Sequence, residues 1–240
     1  MITDKILEGI KKEEEGRQRT SPVRMSSAGK CARAIAYQLH GYKAEELPPR
    51  ALMVFRLGDT VESEIKALIA KYKPDNYLIE YPTDPIEVTI NGVKIQGHVD
   101  GHIKLPTEAI LEIKSISDMG FKLLEREGVS YEYRCQAVMY QKAMNIPRTV
   151  FIFYNKNTSK MLQITYEYEE KIWQDCVKRW TDVTNSTKTA LPEREYVPNE
   201  KGKLDWHCMY CGWNKTCWPD QELKFSKAGK PEIYVNAKAA

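Results

Sequence analysis

The chain has 240 residues, long for one ordinary domain and short for two, so one core with an accessory lobe is the economical arrangement. With 42% hydrophobic and 29% charged residues it lies away from disordered, fibrous and membrane compositions, and a formal charge of +3 permits nucleic-acid binding without demanding it. No apolar run approaches the roughly 20 residues of a membrane helix, and the charged start MITDKILEGIKKEEEGRQRT excludes a secretory signal, so a cytoplasmic protein away from membranes is expected.

Residues 1–18 read as a charged helix with Ile2, Ile6 and Ile10 on one side. After the Ser21-Pro22 break, the small residues 26–29 lead into a helical pattern that places Cys31 near a helix start. A second helix is expected from Leu52 to Tyr72, with Val54, Leu57, Val61, Ile65, Leu68 and Ile69 as its apolar stripe. The period then changes to two, predicting strands at 77–81, 86–90 and 93–103, with Asn91-Gly92 as a hairpin turn. A strand over 110–114, a helix over 131–144, strands at 149–154 and 161–168, and a helix over 169–187 follow. The tail from Lys224 to Ala240 shows no hydrophobic period.

Two of these strands carry charges in register. In residues 94–104 the apolar Ile95, Val99 and Ile103 alternate with polar residues, so Asp100 shares a face with His98 and His102. In Ile110-Leu-Glu-Ile-Lys114, Leu111 and Ile113 take one side and Glu112 and Lys114 the other. Such a set suits phosphodiester hydrolysis. Asp100, Glu112 and the backbone carbonyl of Ile113 are hard oxygen ligands for Mg2+ or Mn2+, and Lys114 is a cation beside the attacking water. Burial near an ion would push the Lys114 pKa down. The spacing alone fits equally an edge strand whose polar face meets solvent.

The six cysteines include Cys208, Cys211 and Cys217 in a C-x2-C-x5-C segment, which needs one more ligand, and Cys31 is the obvious candidate. In a reducing compartment this points to a metal site before disulfides. Four thiolates suit Zn2+ or a [4Fe-4S] cluster, and His207 or His40 could replace one thiolate. Cys135 and Cys176 lie inside expected helices, as buried small hydrophobes. The aromatic residues around Cys208 to Cys217 read as shielding for the metal site before they read as a base-stacking platform.

Gly97-His-Val-Asp100-Gly followed by Glu112-Ile-Lys114 resembles the second and third motifs of the PD-(D/E)XK nucleases of the RecB family. Gln136 and Tyr140 reproduce that family's Gln-x-x-x-Tyr motif, with Tyr133 on the same helix ridge, and Leu57-Gly58-Asp-Thr-Val-Glu62 corresponds to its Gly-x-x-x-His/Glu helix. The cysteine order is similar to the iron-sulfur members: Cas-four proteins, AddB and the Dna-two nuclease-helicase. The resemblance implies an α/β, restriction-endonuclease-like core with a mixed central sheet flanked by helices, plus an iron-sulfur lobe joining the N- and C-terminal segments. It implies catalytic roles for Asp100, Glu112, Lys114, Gln136 and Tyr140, with Glu62 as a further metal ligand, and a [4Fe-4S] cluster on Cys31, Cys208, Cys211 and Cys217.

The expected organisation is an N-terminal helical arm over 1–21, a nuclease domain over 22–220 with its lobe at 22–50 and 190–220, and a tail over 221–240. Arg24, Lys30, Arg33, Tyr133 and Arg134 are candidate DNA contacts. The expected activity is an exonuclease or end-processing deoxyribonuclease on single strands or DNA ends, with a recombination, helicase or CRISPR-adaptation protein as partner. The competing reading is a non-catalytic DNA-binding or scaffold protein with a nuclease-like fold and a structural iron-sulfur or zinc site.

Overall fold

The structure, a computed structural model, describes residues 1–15, 23–227 and 229–235. Parts of the expected N-terminal arm (16–21), the Ser21-Pro22 break and the end of the tail (236–240) lie outside the described residues. The chain divides into two compact units, one formed by 1–29 and 48–178, the other by 30–47 and 179–240.

The first unit begins with helix α1 (Ile2–Glu15) and a 3-10 turn (Met25–Ser27). The chain next forms α2 (Ala32–Leu39) in the second unit and returns with α3 (Pro49–Tyr72). Pro49 suits a first helical turn, where its missing N–H would have no partner. Strands β1 (Leu78–Glu80), β2 (Ile86–Ile90), β3 (Val93–Gly97), β4 (Gly101–Leu105) and β5 (Ala109–Ile116) follow. Helices α4 (Asp118–Glu127) and α5 (Tyr131–Met144) lead to β6 (Arg148–Asn155) and β7 (Met161–Glu167). Helix α6 (Glu170–Asn185) ends in the second unit, from Arg179 onward.

Among the described residues the central sheet has the order β1-β4-β5-β6-β7. Only β5 and β6 run parallel; the other neighbours are antiparallel. A parallel pair needs a crossover connection, and α4 with α5 supplies it. The hairpin β2-β3 stands apart as its own two-stranded sheet, turning at Asn91 and Gly92, both with positive φ.

Alternation along β5 and β6 sorts the core. Leu111 and Ile113 join Ile65, Ile103 and Ala109 in a buried cluster, with Val61 and Ile69 of α3 and Val150, Ile152 and Tyr154 of β6 packed against it. The odd-numbered Phe151 and Phe153 face the other way, and the Tyr133 ring of α5 meets both, at 6.4 and 5.8 Å between centroids. Mixed sheet and flanking helices therefore form an α/β fold as expected.

The 3-10 turn packs against α5 through Gly29. A methyl group there would sit 2.5 Å from Glu132 Cα, a backbone atom that cannot swing aside. Gly29→Ala is thus expected to destabilise the fold by about 1–3 kcal/mol, lowering the melting midpoint by several degrees in a thermal scan; an unchanged midpoint would refute this close approach.

The second unit contains α2, the end of α6, two four-residue helices α7 (Trp206–Met209) and α8 (Asn214–Cys217), and the hairpin β8 (Glu222–Phe225) with β9 (Pro231–Tyr234). Its core is Leu204, Trp218, Ile233 and Val235, with Cys208, Met209 and Cys217 against it. The Trp213 indole donates to the Tyr42 carbonyl at 3.0 Å, Arg194 donates to the Cys217 carbonyl at 2.7 Å, and the Ala32 amide donates to Glu195 at 2.6 Å.

Four expectations need correction. The strand predicted over 93–103 is two strands in two sheets, separated by residues 98–100. Helix α4 was not foreseen, although Ser117 caps its start and Gly128, at φ 79°, ends it. The featureless tail contains β8 and β9. The iron-sulfur lobe is not present: among the described residues no group of three or more His, Cys, Asp or Glu side chains could hold a metal ion. Apolar packing and hydrogen bonds of the kind just described hold the second unit.

Candidate functional site

Strand β4 ends its pairing with β5 at Gly101 opposite Leu111, which leaves the next stretch of β5 without a strand neighbour on that side. Asp100, one residue outside β4, fills the gap: its Oδ2 accepts the Ile113 amide hydrogen at 2.6 Å. The break in the predicted strand therefore brings the Asp100 carboxylate onto β5.

Glu112 lies in the middle of β5, between β4 and β6, and is 1% exposed. The edge-strand alternative is thereby removed. Its Oε2 is 2.7 Å from the Lys114 ammonium and accepts a hydrogen bond from Gln136 Nε2 at 3.0 Å. The same Gln136 nitrogen donates to the Tyr140 hydroxyl at 3.1 Å. Glu112, Gln136 and Tyr140 thus form a buried chain running from β5 into α5. Glu112 Oε1 is buried with no hydrogen-bond partner among the described residues, and a buried acceptor left unsatisfied is costly.

Electrostatics follow from this burial. Loss of solvent pushes the Glu112 pKa up to about 7, against the pull of Lys114 and with a further push from Asp100. Burial likewise raises Asp100, although Lys114 and the Ile113 amide oppose it. Burial pulls Lys114 down, but the charges of Glu112 and Asp100 more than offset it, and its pKa rises. The downward shift expected for Lys114 is therefore reversed. Its ammonium faces two carboxylates. The proton resides on Lys114, and Glu112 ionises in the neutral range instead of the usual acidic one. Tyr140 is held well above its ordinary pKa by burial and by Glu112, and Tyr133 is raised by burial.

Glu62 on α3 is paired with Lys66 at 2.6 Å, one helical turn on. Lys66 was missed in the sequence, although Glu followed by Lys at i,i+4 is a recognisable helix pairing. Tyr133 is mostly internal, with Lys114 Nζ 5.5 Å from its ring centroid. Arg134 pairs with Glu169 at 3.6 Å. Arg24 is exposed beside the 3-10 turn, while Lys30 and Arg33 belong to the second unit, where Arg33 donates to the Tyr37 hydroxyl and the Pro192 carbonyl.

Neither expected metal cofactor has its site. Among the described residues no set of three His, Cys, Asp or Glu groups could hold Mg2+, Mn2+, zinc or an iron-sulfur cluster. Glu62 meets Lys66 through Oε1, Asp100 the Ile113 amide through Oδ2 and Glu112 both Lys114 and Gln136 through Oε2, while Ile113 lies opposite Ile152 in the ladder. Cys31, Cys208, Cys211 and Cys217 are all free thiols of the second unit. Burial raises Cys31 and Cys211 and pushes Cys208 up to about 12, and the charges of neighbouring thiols raise Cys208 and Cys211 further, Cys31 and Cys217 acting on both. Cys135 and Cys176 are buried in the first unit.

No family model matches the chain, nor does any curated protein. Among solved structures it is similar to an alkaline exonuclease (LHK-Exo) from Laribacter hongkongensis, with a TM-score of 0.48 and 14% identity over 68% of this chain and 87% of that one. The same exonuclease in complex with dAMP gives 0.48 and 16% over the same shares. The crystal structure of SSO0001 gives a TM-score of 0.58 and 16% identity over 90% of this chain and 96% of that one. At that identity the likeness is one of fold, and the fold of this chain is α/β with a mixed central sheet.

Proposed function

We propose that this protein is a DNA-processing hydrolase, a nuclease that opens phosphodiester bonds at the Asp100, Glu112 and Lys114 centre, acting on DNA ends or single strands. The observation that carries this reading is a fully buried carboxylate with one oxygen unpartnered and an ammonium against its other oxygen, a setting whose burial pushes the carboxylate pKa up to about 7. Structural charges are seldom buried at that cost, whereas a general base is most effective when its pKa lies near the working pH.

The chemistry asks for a proton acceptor and a positive charge. A water oxygen bonds to phosphorus while its proton passes to Glu112 Oε1, supplying the donor that this oxygen lacks. The ester P–O bond breaks, and the departing oxygen takes a proton from solvent. Lys114 offsets the negative charge that grows on the phosphoryl oxygens. Asp100 is the second carboxylate that keeps Lys114 protonated, and Gln136 with Tyr140 holds the orientation of Glu112.

A second reading, a DNA-binding protein without turnover, draws on the same internal neutralisation, since Glu62, Asp100 and Glu112 each already have a partner. End-labelled single- and double-stranded DNA, incubated with and without divalent salt, separates the two. Shortening by the native protein that is lost in Asp100→Ala supports the nuclease. Shortening that persists undiminished in that variant overturns the assigned centre. Binding without cleavage in every buffer supports the second reading.

A further inference from the structure

We propose that Arg24 forms a phosphate-binding site on the rim of the Glu112, Gln136 and Tyr140 chain, holding a backbone phosphate of a nucleic-acid strand next to the bond being opened. This inference rests on the DNA-processing reading above and adds the contact that would fix where the strand lies.

Three observations carry it. Arg24 has extended backbone, φ −131° and ψ 146°, and is bridged in parallel to Gln96 of β3. Successive side chains of such a segment point to opposite sides, and accordingly Met25 is buried while Arg24 is exposed. Met25 is wedged under the site. A methyl group on Gly97 would meet Tyr140 Cε1 at 2.5 Å and Met25 Cβ and Sδ at 3.1 Å, so only glycine allows these two side chains to converge there. Arg24 leaves this segment on its opposite, exposed side, bridged to the neighbour of Gly97, and its charge still reaches the Tyr140 hydroxyl.

The third observation is that Arg24 is unspent. Its guanidinium makes no hydrogen bond or ion pair among the described residues. Of the other cationic candidates, Arg33 is tied to Tyr37 and Pro192 and Arg134 to Glu169. A planar guanidinium with all its donors available suits the paired oxygens of a phosphodiester better than an ammonium does. The contact carries no base information, so recognition at this point follows the backbone of the strand, not its sequence.

The test is equilibrium binding of a fluorescein-labelled single-stranded oligonucleotide, followed by anisotropy across a salt series. The native protein is compared with Arg24→Gln, Arg24→Lys and Lys104→Gln, the last removing an equal charge that is paired with Glu80. Arg24→Gln is expected to weaken binding about tenfold and to lower the slope of log K against log salt by about 0.7, one phosphate contact on a single strand. Arg24→Lys should recover the slope but only part of the affinity, and Lys104→Gln should change neither. Binding and slope in Arg24→Gln equal to those of the native protein would overturn the Arg24 site while leaving the DNA-processing reading standing. A native protein that binds no DNA at all would overturn both.

Discussion

Replacing Glu112 with Gln is expected to lower the rate of DNA cleavage roughly a thousandfold, the scale on which removal of a positioned general base and its electrostatic support acts. The amide keeps an oxygen toward Lys114 and nearly the same volume, so the sheet should persist. What is removed is the group that ionises near neutrality. In the folded protein Glu112 ionises at about 7, against an ordinary 4.5. The folded state therefore holds a proton that the unfolded chain releases at lower pH. Its contribution to stability is complete below the ordinary value and is lost as pH rises toward 7. Each pKa unit corresponds to about 1.4 kcal/mol, so the native protein should lose stability over this window relative to Glu112→Gln. Urea midpoints for the two proteins between pH 4 and 8 measure the difference. Parallel midpoints across that range would show that Glu112 titrates normally, and cleavage by the variant within tenfold of native would remove it from the mechanism.

The second large effect is expected at Lys114. Its ammonium is 2.7 Å from Glu112 Oε2 and is the strongest influence holding that carboxylate's pKa down against burial. Lys114→Met should therefore move the acid limb of the pH–rate profile upward, because Glu112 would need a higher pH to ionise. It should also reduce the plateau rate by about a hundredfold or more, through loss of the charge that offsets the phosphoryl oxygens. The stability cost should depend on pH. Breaking a buried pair costs about 3–5 kcal/mol when the remaining charge has no partner, but Glu112 escapes much of this by staying protonated. The variant should thus be close to native in mildly acidic buffer and fall increasingly behind as pH rises beyond 7. An acid limb that stays in place or moves downward would contradict the assigned pairing. A deficit independent of pH would mean that the loss is one of packing rather than charge.

Much of the scaffold was legible in the sequence because its periods are local properties. The parity of Ile110 to Lys114 separated Leu111 and Ile113 from Glu112 and Lys114, and the two sides do face different layers. Tyr131 to Met144 forms the predicted helix, with Gln136 and Tyr140 one turn apart on its buried side. The apolar stripe of α3 led to the helix that packs on the sheet through Val61, Ile65 and Ile69. No helix among the described residues is long and apolar enough to cross a membrane. Helix α4 escaped notice because only Phe121 and Leu124 are buried in it and Gly120 stands in its first turn, although Ser117 and Gly128 mark its ends.

The cysteines show where spacing stops being informative. C-x2-C-x5-C places three thiols on one short segment, but holding a metal depends on the thiols converging and ionising. Among the described residues no group of three or more His, Cys, Asp or Glu side chains could hold a metal ion, a relation that spacing along the chain does not reveal.

Taken by itself, the sequence determined which side chains share a strand face or a helix ridge, since those relations follow from repeats of 2 and 3.6 residues along the chain. Only the tertiary structure decided that β5 lies inside the sheet, that Asp100 leaves its strand to reach the Ile113 amide, and that Lys114 meets the buried Glu112 carboxylate. Burial and charge neighbours depend on residues distant in the chain, which is why the same Glu-x-Lys pattern that could be a solvated edge is here a desolvated carboxylate–ammonium pair.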